Sequence, residues 1–312
     1  MDRLRAHAES RGFFTRSDVL ADGHDDRAIR RAVRQHLWVR LRPGTYTFRD
    51  LWPDDAQQRH CIIGRAVAAK LGPSVTLSHT TAALLHGLHV WDADLSLVHV
   101  TRLDGGAGRT ECHVAHHEGL ILPSDLRTVD GALVTHPARA AIETASLLST
   151  EAGLVSLDAA LASGLTNRLE LDATFALMRS WPGMLGVQLA VRMADPGAQS
   201  AGESRIRYLC YAAGLPAPVL QHEVRDRSGR LLGVTDFAWP RHGLLGEFDG
   251  KVKYGRYLRP GETPGDAVFR EKRREDAICE QLGWRMIRFV WADLHRPADT
   301  AARIGRMLRL AA

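Results

Sequence analysis

Asp236, Glu247, Asp249 and Lys251 are the residues whose types and spacing best suit chemistry. Ten residues separate Asp236 from Glu247, which opens the run Glu247-Phe248-Asp249-Gly250-Lys251. On a strand, alternate side chains share a face, so Glu247, Asp249 and Lys251 are expected to project together. Three carboxylates gathered at Asp236, Glu247 and Asp249 are electrostatically costly without a cation. Hard oxygen ligands of this kind suit Mg2+ or Mn2+, which prefer carboxylates, water and phosphate. Such an ion activates water and clamps a phosphodiester, and a nearby lysine orients the water or stabilises developing charge. The other reading of Glu247, Asp249 and Lys251 is an exposed, salt-bridged strand. Lysine is scarce: of 41 Lys+Arg only four are lysines, and Lys251, Lys253 and Lys272 fall close together. Lys and Arg are not interchangeable at chemical sites, so this cluster marks a place where lysine itself is needed.

The elements that must position these residues run from Ser200 in the order helix, strand, strand, strand, helix, strand, helix. Ile206, Leu209, Cys210 and Ala213 form one apolar face of the first helix, which Gly214 ends. Ser200-Ala201-Gly202-Glu203 has the capping-box pattern at its start. VLQHEVRD and LLGVTDFAWP read as strands joined by the turn Arg227-Ser228-Gly229, and LLGEFDGKVK as a third. Residues 266–282 read as a charged helix, WRMIRFVW as a fourth strand, and residues 299–310 as a closing helix. Asp195-Pro196-Gly197-Ala198-Gln199-Ser200 before it is small and turn-prone, as a linker is.

Residues 1–50 carry a different signal. A short amphipathic stretch ends at Gly12, Thr15 is placed to cap a second helix with Asp18 at its third position, and Gly23 stops it. Asp25 and Asp26 open a third helix, with Ile29, Val33 and Leu37 expected on its buried face and Arg27, Arg30, Arg31 and Arg34 on the others. WVRLRPGTYTF alternates around Arg42-Pro43-Gly44, a hairpin signal. Three helices and a basic hairpin make a winged helix-turn-helix, in which the third helix enters the major groove and the wing touches backbone. Arg27, Arg30, Arg31, Arg34, Arg40 and Arg42 are the expected DNA contacts. Through Phe13, Thr15, Asp18, Val19, Arg40, Pro43, Gly44 and Tyr46 this stretch resembles the N-terminal domain of AbiEi-type antitoxins of type IV toxin–antitoxin systems.

Asp50-Leu51-Trp52-Pro53-Asp54-Asp55 reads as a boundary. Residues 55–195 mix helices with a few strands: Ser78 caps HTTAALLHGL, LSLVHVTR alternates like a strand, and Pro137 starts a helix at a favoured first-turn position. SHTTAALLHGL, LVHVTR and LVTHPARAAIETA resemble the middle region of the same antitoxin-like proteins, with Ala141 and Glu143 where relatives tend to carry Thr and Asp. The histidines His79, His86, His89, His99, His113, His116, His117 and His136 match no metal-ligand spacing.

The C-terminal stretch, over roughly residues 200–295, resembles the PD-(D/E)XK superfamily, in particular its branch related to very-short-patch repair endonucleases. That resemblance implies a restriction-endonuclease-like fold, with Asp236 as the first acid, Glu247 as the second, and Glu203 as an extra metal-side acid. It also places Asp249 where lysine is expected. Either Asp249-Gly250-Lys251 is the D-x-K itself, or Lys272 on the following helix supplies the cation.

The chain is therefore expected to be multidomain α/β: a winged helix-turn-helix at 1–52, a mixed α+β middle domain at 53–197 and a nuclease-like α/β domain at 198–312. Charge follows the same division. Residues 1–50 hold 11 Lys+Arg against 7 Asp+Glu, residues 51–199 hold 10 against 15, and residues 200–312 hold 20 against 14. Basic modules flanking an acidic body favour phosphate-bearing partners. The scattered Cys61, Cys112, Cys210 and Cys279 form no CxxC pair and fit a reducing cytoplasm. No stretch has the ~20 apolar residues of a membrane helix. Two functions follow as expectations. One is a Mg2+- or Mn2+-dependent DNA endonuclease held on its substrate by the winged helix. The alternative is an AbiEi-like transcriptional repressor and antitoxin with an inactive nuclease-like domain, having a cognate toxin or a second copy of itself as partner.

Overall fold

The computed structural model describes residues 2–250 and 278–309. The first unit comprises α1 (Asp2–Arg11), β1 (Phe14–Thr15), α2 (Arg16–Ala21), α3 (Asp26–Arg34), β2 (Trp38–Arg42) and β3 (Thr45–Phe48). Its boundaries are locally caused. Thr15 caps α2 in a capping box with Asp18, and the Asp25 carboxylate accepts from the Ala28 amide to start α3. Arg16 forms a two-pronged pair with Asp26, at 2.8 and 2.7 Å, which fixes α2 against α3. Leu4, Phe14, Val19, Ile29, Trp38 and Tyr46 fill the core under a three-stranded sheet ordered β1-β3-β2.

Leu37 departs from expectation, since it is 55% exposed. α3 stops at Arg34 and His36 takes a φ of +56°, so the 3.6-residue phase that would have buried Leu37 is lost. Ala32 is buried instead.

The middle unit contains α4 (Ala56–Leu71), β4 (Val75–Leu77), α5 (His79–Leu85), β5 (Val98–Arg102), β6 (Arg109–Glu111), β7 (Val114–His117), β8 (Leu126–Val129), β9 (Ala132–Thr135), α6 (Pro137–Ser146), α7 (Thr150–Ala162), α8 (Arg168–Met178) and α9 (Met184–Met193). Its six strands are ordered β6-β7-β5-β4-β9-β8, with β4–β9 and β5–β7 parallel and the other pairs antiparallel. The core joins this sheet to the helices through Leu77, Val100, Val134, Ile142, Leu154 and Leu157.

The third unit has α10 (Ala201–Ala212), β10 (Val219–Arg225), β11 (Leu231–Trp239), β12 (Leu244–Phe248), a helical turn at 278–282, β13 (Arg285–Phe289), α11 (Trp291–Leu294) and α12 (Pro297–Leu308). The sheet is ordered β10-β11-β12-β13, antiparallel except for the parallel β12–β13 pair. One face, with Phe237, Trp239, Phe248 and Phe289, packs on α10 and α12. The other, with Val224, Ala238 and Leu245, packs on Ile278. Gly202 is required where α10 meets the sheet: a Cβ there would lie 2.2 Å from the Phe248 ring. Ala213, expected on the apolar face of α10, is the exposed cap residue instead.

The units are joined by specific contacts. Phe13, Ile62 and Ala66 form an apolar seam between the winged helix and α4, with Leu41 and Trp52 against it. Gly12, at a φ of +86°, lies where a Cβ would stand 2.9 Å from Ile62. The stretch expected to be a linker at 195–200 is partly built in. Ala198 is buried, and the Asp195 amide donates to the buried Asp158 carboxylate at 2.8 Å. From α10, Arg205 pairs with Glu151 and stacks on Trp91, while Arg207 pairs with Asp158.

Candidate functional site

α3 presents Arg27, Arg30, Arg31 and Arg34, all exposed, opposite the buried Ile29 and Ala32. Spacings of three and four set these arginines in one stripe along the helix. None of the four forms an ion pair with a described residue, whereas Arg16 on the neighbouring helix is committed to Asp26. Asp25 and Asp26 lie at the N-terminal end of α3, where negative charge suits the helix dipole. On the wing, a bulge between Arg40 and Arg42 turns Leu41 toward the apolar seam and leaves Arg40 exposed. Arg42 is only half exposed, and its Nη2 donates to the Cys112 carbonyl at 2.7 Å.

The carboxylates of the third unit come together in part. β11 and β12 pair through Phe237↔Gly246, where the ladder ends although both strands continue. The next step of that register sets Asp236 opposite Glu247, both half-buried. There the strands part, and the Asp236 carboxylate accepts the Phe248 amide at 2.8 Å in place of a backbone carbonyl. Asp249 continues the β12–β13 pairing, its amide donating to Phe289 at 2.7 Å. Glu203 is buried and caps its own helix, accepting from the Gln199 amide at 2.9 Å and the Ser200 hydroxyl at 2.7 Å. Gln221, which the sequence did not single out, reaches Glu203 at 3.4 Å from a φ of +45°. A left-handed non-glycine residue is uncommon, and such strain concentrates at sites where the surroundings enforce it.

Lys251 and Lys272 lie outside the described residues. Among the described residues, no group of three or more His, Cys, Asp or Glu side chains converges as an ion site. No described helix is long and apolar enough to cross a membrane.

The middle unit holds a polar node that no spacing in the sequence announces. His79 on α5, His99 on β5 and His117 on β7 stack, with ring centroids of His79 and His117 only 3.7 Å apart. His99 Nδ1 meets His117 Nε2 at 2.9 Å. Beneath them the buried Glu143 accepts from the His79 amide at 3.1 Å and from Arg139 Nε at 2.7 Å. Arg139 also donates to Asp125 at 2.8 Å and lies over Trp181. Burial holds His79 well below the ordinary imidazole range, and the facing His117 and His99 push it further. Burial, then His117, bring His99 down to about 4. Burial also lowers His117, with His116 adding to the effect. Burial and the repulsion among three stacked imidazoles both disfavour their charged forms.

Comparison with known proteins agrees with the first unit. Residues 2–49 match the family described as "Transcriptional regulator, AbiEi antitoxin". Over 280 residues the chain is 32% identical to the uncharacterized proteins MT2308 and Rv2248 from two strains of Mycobacterium tuberculosis, a match covering 88% of this chain and 97% of each relative. A match of that identity and extent runs through all three units, and the chain belongs to the family of these mycobacterial proteins, with an AbiEi-type regulator domain at its N-terminus.

Proposed function

We propose that the chain is a DNA-binding transcriptional regulator of the antitoxin type, in which α3 enters the major groove and the wing lies along the backbone. The observation that carries this reading is the stripe of Arg27, Arg30, Arg31 and Arg34, exposed on the third helix of a winged helix and without an ion pair to a described residue. An arginine fork reads guanine edges and grips phosphate, and each phosphate neutralised releases counterions. The regulator likeness of residues 2–49 supports the same assignment, and an antitoxin role adds a cognate toxin as the expected protein partner. The test is titration of the protein onto DNA upstream of its own gene against scrambled duplex, across a salt series. Sequence-preferring binding is expected. Replacing Arg30 and Arg31 together by Ala should make the slope of log K against log salt shallower by about 1.8, at roughly 0.9 per lost phosphate contact. Equal affinity for scrambled DNA, or an unchanged slope in the double variant, would overturn the reading.

A second reading is favoured by the parting of β11 and β12 at Asp236, whose carboxylate takes the Phe248 amide next to Glu247. In that reading the third unit hydrolyses phosphodiesters with Asp236, Glu247 and Asp249, and a lysine from the stretch beyond residue 250 supplies the cation. Nicking of supercoiled plasmid with added Mg2+ or Mn2+, lost in Asp236→Ala, is the expected result. Intact plasmid under both ions would remove this reading and leave the regulator standing.

A further inference from the structure

We infer that the wing is set in place by the middle unit, and that Arg42 is its positioning residue rather than a DNA contact. The inference rests on the DNA-binding reading above and assigns the parts of that site. Two contacts from one short stretch carry it. Leu41, the extra residue of the bulge between Arg40 and Arg42, packs into the seam formed by Phe13, Ile62 and Ala66. One residue on, the Arg42 guanidinium donates to the carbonyl of Cys112, in the tight turn between β6 and β7. Cys112 and His113 hold φ values of +48° and +59°, so this turn is strained as well as exposed.

The bulge decides which arginine is left for DNA. Without it, residues 40, 41 and 42 would alternate in and out, and Arg40 and Arg42 would share a face. With the extra residue, Arg40 pairs opposite Tyr46, Arg42 opposite Thr45, and Leu41 is turned inward. Arg40 is exposed with no ion pair to a described residue, while Arg42 is spent on a backbone carbonyl. A wing held beside its tip by both an apolar side chain and a charged hydrogen bond cannot swing freely. The middle unit therefore fixes the angle between wing and α3, and with it the spacing of the phosphates that the two engage. The β6–β7 turn lies alongside the wing as part of the same binding surface.

The experiment compares Arg40→Ala, Arg42→Ala and Leu41→Ala in the full-length chain, by salt-dependent DNA binding and by amide hydrogen exchange without DNA. Arg40→Ala is expected to weaken binding and make the salt slope shallower by about 0.9, the loss of one phosphate contact. Arg42→Ala and Leu41→Ala are expected to weaken binding by about fivefold, the effect of one lost hydrogen bond or small contact, with lines parallel to wild type. In the free protein, Arg42→Ala should speed exchange in both the wing, residues 40–46, and the β6–β7 turn, residues 109–114. Leu41→Ala tests the other attachment should Arg42→Ala fold poorly. A shallower slope in Arg42→Ala, or free-protein exchange unchanged in both segments, would overturn the inference. Loss of DNA binding in wild type itself would instead overturn the regulator reading and leave the exchange result to judge the tether.

Discussion

The arginines of α3 and the arginines of the interior are the same side chain put to opposite uses. Arg27, Arg30, Arg31 and Arg34 stand in solvent without an ion-pair partner among the described residues. Arg139, Arg205 and Arg207 are held by Glu143 and Asp125, by Glu151, and by Asp158. The interior guanidiniums have lost most of their hydration, and each has a carboxylate within hydrogen-bond distance to meet its charge. On α3 the four guanidiniums form no ion pair with a described residue, Asp26 acting on Arg30 only through space, and like charges along one stripe repel until an anion arrives. Arrangement, rather than composition, separates an arginine that stabilises the fold from one available for binding.

The sharpest way to break this comparison is to remove an interior arginine. Arg139 and Glu143 are both almost wholly buried. Arg139→Ala leaves the Glu143 carboxylate without its partner, which costs about 3–5 kcal/mol for a broken buried pair. Denaturant unfolding should show that loss. Arg139→Met combined with Glu143→Leu should recover most of it, because an apolar pair of similar volume replaces a buried ion pair with little net cost. The Arg30 and Arg31 double variant described above should leave the unfolding midpoint near wild type. A large fall in its stability would mean that the α3 stripe also serves the fold.

The histidine node extends the comparison to pH. His79, His99 and His117 all have folded values below the ordinary 6.5. A depressed imidazole contributes stability that is complete above its unfolded value, and that stability is lost as pH falls through the window down to its folded value. For His99 the window runs from 6.5 to about 4. Each histidine protonated only in the unfolded chain steepens the loss by about 1.4 kcal/mol per pH unit. The groups facing the node from neighbouring elements are His60, Glu143, Arg139, His116 and Asp94. Glu143 is pushed up by burial against the pull of Arg139, so the fold takes up its proton before the unfolded chain does, and this group works against the acid loss caused by the histidines. Thermal melts between pH 7.5 and 5 should show the melting temperature falling below pH 6.5. In His117→Phe the fall should be shallower, and an unaltered pH profile in that variant would show that the stack is not what senses protons.

What the sequence revealed follows from how local each cause is. The caps at Thr15 and Asp25, the stop at Gly23 and the start at Pro137 act within a turn, and each stands where its residue type places it. The four strands of the third unit and the helices that open and close it were legible for the same reason, with the short α11 missed between stronger signals, while most of the helix expected at 266–282 lies outside the described residues. The six-stranded sheet was not legible, because β4 is three residues long and exists through pairing with β5 and β9. His79, His99 and His117 were visible as residues but come from three elements, and no periodicity announces their stack. Arg42 looked equivalent to Arg40 because a bulge is a property of the paired ladder, not of either strand alone. Lys251 and Lys272, on which the nuclease expectation turned, fall outside the described residues.

The smallest effect belongs to Thr15, and it separates stability from binding most cleanly. Its hydroxyl accepts from the Asp18 amide at 3.2 Å, while the Asp18 carboxylate accepts the Thr15 amide at 2.7 Å and also pairs with Arg11. Thr15→Ala removes one half of this box and should cost about 1 kcal/mol, the usual loss for an N-cap. Because α2 is held to α3 through Arg16 and Asp26 as well, the arginine stripe should keep its geometry. The expected result is a lower melting temperature with the salt slope of DNA binding unchanged. A shallower slope would mean that the cap, and not the core beneath Ile29 and Ala32, is what holds α3 in register with its target.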